Sequence, residues 1–130
     1  MIAKEEKFSI INETKGKLPS LPFVQIKNKI LGENYELDLI IVDEKKIYSL
    51  NKTYRNVNSS TDILSFPISE NAGEIFICEK IAEKKAVDFE RKYNNFIAFL
   101  FIHGCVHLLG HDHGDEMEKI ETKYRKVFKI

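Results

Sequence analysis

The sequence predicts an α+β fold in which a small mixed β-sheet packs against several α-helices. Three observations point there. Strand-like runs are concentrated in the first eighty residues. Apolar residues spaced three and four apart mark helices between those runs and dominate after Glu79. No repeat and no linker rich in Pro, Gly or Ser divides the 130 residues, so residues 1–130 read as a single domain.

Lys7 to Ile11 is a short strand, interrupted by Gly16 and Pro19. Ser20 and Pro22 then start a helix through Phe23, Ile26, Ile30 and Leu31. Glu36 to Val42 alternates at first and becomes continuously apolar, as a buried strand does. Asp43 suits the N-cap of a helix carrying Ile47, Leu50 and Tyr54 on one face. Arg55 to Ser60 is a polar loop, followed by a strand from Thr61 to Phe66 that Pro67 should stop. Glu74 to Cys78 is its neighbour across a turn at Gly73. A charged helical segment, Glu79 to Lys92, leads into an apolar helix from about Tyr93 to Leu109. Gly110 ends that helix, and Gly114 precedes an amphipathic one built on Met117, Ile120, Tyr124 and Phe128.

Composition narrows the class. The chain is 43% hydrophobic with few Gly and Pro, which excludes disordered and collagen-like proteins. Lys plus Arg and Asp plus Glu are both 20, so no global basic field draws in nucleic acid, and RNA binding needs a local patch. The longest apolar run, Phe96 to Ile102, is far short of the roughly 20 residues that span a bilayer. With two cysteines, Cys78 and Cys105, and no apolar export signal at the start, a cytoplasmic protein without disulfides is expected.

The strongest chemistry lies in His103-Gly104-Cys105-Val106-His107-Leu108-Leu109-Gly110-His111-Asp112-His113, which holds all 4 histidines of the chain. His103 and His107 are four apart, so on a helix both imidazoles leave one face a turn apart and can reach one metal ion. A sharp reversal at Gly110 would let His113 supply a third nitrogen. Three imidazoles suit Zn²⁺ and leave its fourth position open, the catalytic arrangement; imidazoles also accept Ni²⁺, Cu²⁺ and Fe²⁺. His111 reads as loop, although it could stand in for His113. Cys105 reads as core, and Asp112 either orients a ligand histidine or caps the last helix. Zinc proteases with this spacing carry Glu after the first histidine as general base, whereas Gly104 can carry no proton.

A second constellation precedes it. Leu50-Asn51-x-x-Tyr54-Arg55 ends one helix, Thr61-Asp62-Ile63-Leu64-Ser65-Phe66-Pro67 forms the next strand, and Gly73-Glu74-Ile75 follows. Together with His103-Gly104-x-x-His107-Leu108-x-Gly110-x-Asp112-His113, these blocks resemble the YbeY family of bacterial single-strand-specific endoribonucleases. The resemblance covers most of Leu50 to His113, with departures at His111, where Tyr is common, and Val106, where Leu is usual. It implies a zinc-dependent ribonuclease acting in ribosomal RNA processing, near the 3′ end of the small-subunit rRNA, and in ribosome quality control. It places the metal on His103, His107 and His113 and the functional cleft arginine on Arg55.

Arginine's planar fork suits phosphate better than lysine's point charge, and Zn²⁺ can polarise a phosphoryl oxygen or activate water. Asp43 to Ser60 carries a net charge of +2 and residues 1–30 a net of +3, while residues 61–78 are acidic. The partners that the resemblance implies are single-stranded RNA, ribosomal RNA above all, and the zero net charge adds the expectation that the ribosome or small-subunit proteins present it. Asp62 could be a base or a turn residue. The rival readings are a small metallopeptidase or other metallohydrolase, and a non-catalytic ribosome-assembly factor whose metal stabilises the fold.

Overall fold

The computed structural model describes residues 2–5, 7–110 and 114–130. Among these are five strands, β1 (Ile2–Glu5), β2 (Phe8–Asn12), β3 (Glu36–Val42), β4 (Ile63–Ser69) and β5 (Ala72–Cys78), and five helices. The helices are α1 (Phe23–Leu31), α2 (Glu44–Arg55), α3 (Glu79–Asp88), α4 (Tyr93–Leu108) and α5 (Asp115–Phe128). The strands form one mixed sheet in the order β1-β2-β3-β5-β4. β2, β3 and β5 run parallel in the middle, and β1 and β4 close the two edges antiparallel.

The expected α+β architecture is what forms, and its logic is visible in burial. β3 lies between two strands with helices on both faces, and from Leu39 onward every one of its residues is buried, which is why its sequence stops alternating. One core, with Ile75, Ile77, Phe96, Phe101 and Val106, fills the face beneath α1, α4 and α5. A smaller core on the other face joins Ile47 of α2 to Leu64, Phe76 and Cys78. Asp43 caps α2 as expected, accepting from the Lys46 amide at 2.8 Å. α4 is apolar almost all round because it is the buried central helix, and its polar histidines come only in its last two turns.

Three details differ from expectation. β4 runs through Pro67 to Ser69, with a register shift between those two residues. An edge strand tolerates proline because it lacks a second neighbour to receive the missing amide, and a bulge absorbs the rest. The hairpin therefore turns at Glu70 and Asn71, and Gly73 lies inside β5. Glycine is needed there for proximity: a Cβ would come within 2.5 Å of the Tyr35 hydroxyl and 3.0 Å of Leu108. The third is β1, whose charged segment has little apolar pattern and joins the sheet by pairing with β2. Among the described residues no helix is long and apolar enough to cross a membrane.

Candidate functional site

α4 presents His103 and His107 one turn apart, both half-buried, while Gly104, Cys105 and Val106 between them are buried. The helix thus brings the first two expected ligands to one face. Burial pushes the Cys105 thiol well above its ordinary range, with the Lys27 ammonium opposing only in part. Its proton stays on at neutral pH, and it is a core residue.

Gly104 turns toward the sheet. A Cβ there would meet Ile75 and Ser65 at 3.0 Å and Ile63 at 3.1 Å, so the helix lies directly on β4 and β5. The missing protease glutamate therefore has a packing cause: position 104 points into the sheet, and a carboxylate there would be crushed and desolvated. Gly104→Glu is expected to destabilise the fold by about 3 kcal/mol or more through overpacking and an unpaired buried charge, read as a lower denaturant midpoint.

The structure adds a residue that sequence reasoning missed. Glu121 of α5 is buried, and its Oε1 accepts from His103 Nδ1 at 2.8 Å. Arg125 backs the same carboxylate at 3.9 Å and pairs with Glu118 at 2.9 Å. A carboxylate that receives Nδ1–H fixes the ring's orientation and leaves the lone pair on Nε2, the arrangement that makes histidine a good metal ligand. The signal was present: Glu121 falls on the apolar stripe of Met117, Ile120 and Tyr124, where an acidic residue is out of place without a partner.

His111, Asp112 and His113 lie outside the described residues, so the third expected ligand is not placed. Gly110 does take positive φ, at 99°, and Gly114 follows at 149°. Among the described residues no group of three or more His, Cys, Asp or Glu side chains is arranged to hold a metal ion.

Arg55 is the last residue of α2 and is exposed. The chain beyond it is anchored rather than loose. Asn56 takes the left-handed conformation that ends the helix, and buried Asn51 donates from Nδ2 to the Ser59 carbonyl at 2.9 Å. α2 lies on the opposite face of the sheet from α4, yet both flank the edge strand β4. The Tyr54 ring, beside Arg55 in sequence, sits 5.6 Å from that of Phe66, while Gly104, beside His103, abuts Ser65. Ser65 and Phe66 are consecutive and point to opposite faces. The last turn of α2 and the histidine-bearing end of α4 thus pack on adjacent residues of β4 from opposite faces of the sheet.

Asp62, just before β4, is buried, pairs with Lys85 of α3 at 3.6 Å and accepts from the Thr61 hydroxyl at 3.3 Å.

Comparison with known proteins matches this arrangement to a family. Residues 3–129 match the family model described as Endoribonuclease YbeY. The chain is 33% identical over 124 residues to an Endoribonuclease YbeY of Finegoldia magna, covering 90% of this chain and 81% of that one. It is 38% identical over 104 residues to the protein of that name in Sulfurimonas denitrificans, covering 75% of each. A solution structure of a Thermotoga maritima protein superposes with a TM-score of 0.65 at 29% identity, over 94% of this chain and 89% of that one.

Proposed function

The chain belongs to the endoribonuclease YbeY family, and on that premise we propose that it is a zinc-dependent endoribonuclease that cuts single-stranded RNA during ribosomal RNA maturation. The observation that carries the zinc reading is the His103–Glu121 pair at the end of α4, a buried carboxylate holding a histidine beside a second histidine one turn away. His103 and His107, with His113 from the following segment, are the residues that would hold the ion. When bound, zinc supplies a Lewis acid for a phosphoryl oxygen and makes water more acidic.

The chain's own residues supply the rest. Glu121 keeps the Nδ1 proton of His103 in place, so the ring has one tautomer and one orientation. Arg55, from the other side of β4, holds the phosphodiester oxygens with its planar fork and balances the charge that grows on them. Gly104 lets α4 approach β4 closely enough for these two elements to share one edge. A single strand fits this edge better than a duplex, because the chain must pass between groups on two faces of a sheet.

The target we favour is the 3′ end of the small-subunit rRNA, and the setting is the cytoplasm. A net charge of zero gives little general attraction for RNA, which supports presentation by the ribosome or its small-subunit proteins. The peptidase alternative loses support from the buried position of Gly104, which has no room for an acid. Untagged protein incubated with matched single- and double-stranded RNA is the test. Cleavage of the single strand alone is expected; equal cleavage of both, or of peptides instead, would refute the reading.

A further inference from the structure

We propose that a cavity beside His103 receives one base of the RNA strand, with Phe89 as the stacking surface and Asp62 as the acceptor that favours bases bearing an exocyclic amino group. The inference rests on the ribonuclease reading and adds base recognition to the same site.

The cavity measures about 280 Å³ and lies between the start of β4, the turn after α3, and the helices α4 and α5. His103, Glu121, Asp62, Phe89, Phe99 and Met117 are among its lining. Ligand pockets usually run from about 300 Å³ upward, so this one suits a single ring system. It also adjoins the face of α4 on which the expected metal ligand His103 sits.

Phe89 is 53% exposed, a large apolar ring left facing water at the C-cap of α3. It is held from behind, with its centroid 5.2 Å from that of buried Phe96 and 5.8 Å from that of Phe99. A ring fixed at half exposure presents a flat apolar surface with little entropy left to lose on stacking. Phe99 is engaged differently: the guanidinium carbons of Arg91 and Arg125 lie 4.4 and 5.1 Å from its centroid. Those cations put positive charge against one wall of the cavity.

Asp62 supplies the polar selectivity. Among the described residues its contacts, to Lys85 and to the Thr61 hydroxyl, use Oδ1, which leaves Oδ2 as the oxygen for a donor on the ligand. Glu118 and Glu121 also line the cavity, and three carboxylates repel a phosphate. The base is therefore the part of a nucleotide that enters, with its phosphate left outside the cavity. A carboxylate accepts from the amino group of cytosine, adenine or guanine. Uracil has only carbonyl oxygens on its pairing edge flanking its ring N–H, and opposes oxygen to oxygen there.

The test combines binding and cleavage. Fluorescein-labelled short oligocytidylate, oligoadenylate and oligouridylate are titrated into the wild type, Phe89→Ala, Phe89→Tyr and Asp62→Asn, followed by anisotropy. The cut sites of the same proteins are mapped on one mixed-sequence single strand. The wild type is expected to bind the cytidylate and adenylate about tenfold more tightly than the uridylate, and to cut beside amino-bearing bases. Phe89→Ala should weaken binding about tenfold, with Phe89→Tyr restoring most of it. Asp62→Asn, which can donate as well as accept, should level the preference among bases in both binding and cut sites. Unchanged affinity in Phe89→Ala together with unchanged cut sites in Asp62→Asn would overturn the base site while leaving the ribonuclease reading intact. A wild type that neither binds nor cuts single strands would overturn that reading, and this inference with it. Should Asp62→Asn unfold, as circular dichroism would show, the exposed Phe89 pair alone decides.

Discussion

His103→Ala is expected to lose bound zinc and at least a hundredfold of RNA cleavage, while Glu121→Gln keeps the ion but binds it ten- to a hundredfold more weakly. The two substitutions separate ligand from support. Alanine removes a nitrogen outright. Glutamine keeps the size of Glu121 but replaces a charged acceptor with a neutral one, so Nδ1–H is held less firmly and the opposite nitrogen becomes a poorer donor. The burial of Glu121 in this 2.8 Å contact makes the effect large, because the carboxylate's charge acts where solvent screens it little. Zinc affinity by competition with a chromophoric chelator reads this directly. An unchanged affinity in Glu121→Gln would reduce Glu121 to an ion-pair partner of Arg125 that pins α5.

The second large effect is expected at Arg55. Arg55→Glu should cut single-strand cleavage by about a hundredfold or more, the scale for losing a group that stabilises developing charge, with zinc content and thermal midpoint unchanged. Arg55→Lys should recover only part, since an ammonium restores charge but not the two-pronged geometry. The exposed position at the end of α2 makes this a clean test, because no core contact is lost with the side chain. Steady-state cleavage assays on both variants, beside metal analysis, check it. If Arg55→Glu lost metal or unfolded, the phosphate-holding role would fall.

Much of the fold was legible because the elements that position the site have strong periodic patterns. β3 turns continuously apolar where two strands and two helical layers cover it, and Asp43 marks the start of α2. The heavy apolar content of α4 signalled a central helix, and its i, i+4 histidines could be placed on one face from spacing alone. What escaped depends on residues far apart in sequence. Gly73 read as a turn because nothing local shows that Tyr35 and Leu108 press on it. Pro67 read as a strand end because its tolerance follows from β4 being at the edge, which only the sheet order reveals. β1 has too little apolar pattern to announce itself.

The site divides along the same line. The histidine pair carries its chemistry in residue type and local spacing, whereas Arg55 is singled out only through the family resemblance of the blocks around it. Glu121 needed the packing of α5 against α4 to bring it to His103 from eighteen positions away. That the ends of α2 and α4 both pack on β4 follows from these helices covering opposite faces of the sheet, which no spacing in the sequence encodes.

The proposed function requires that the histidines at the end of α4 hold a metal ion on which RNA cleavage depends. The deciding measurement is single-strand cleavage by untagged protein before chelation, after it, and after zinc is restored, with His103→Ala alongside to reveal contaminating nucleases. Activity that disappears with the metal, returns with zinc and is absent from the variant is the expected result. Cleavage that survives full metal removal, or that the variant shares, would contradict it.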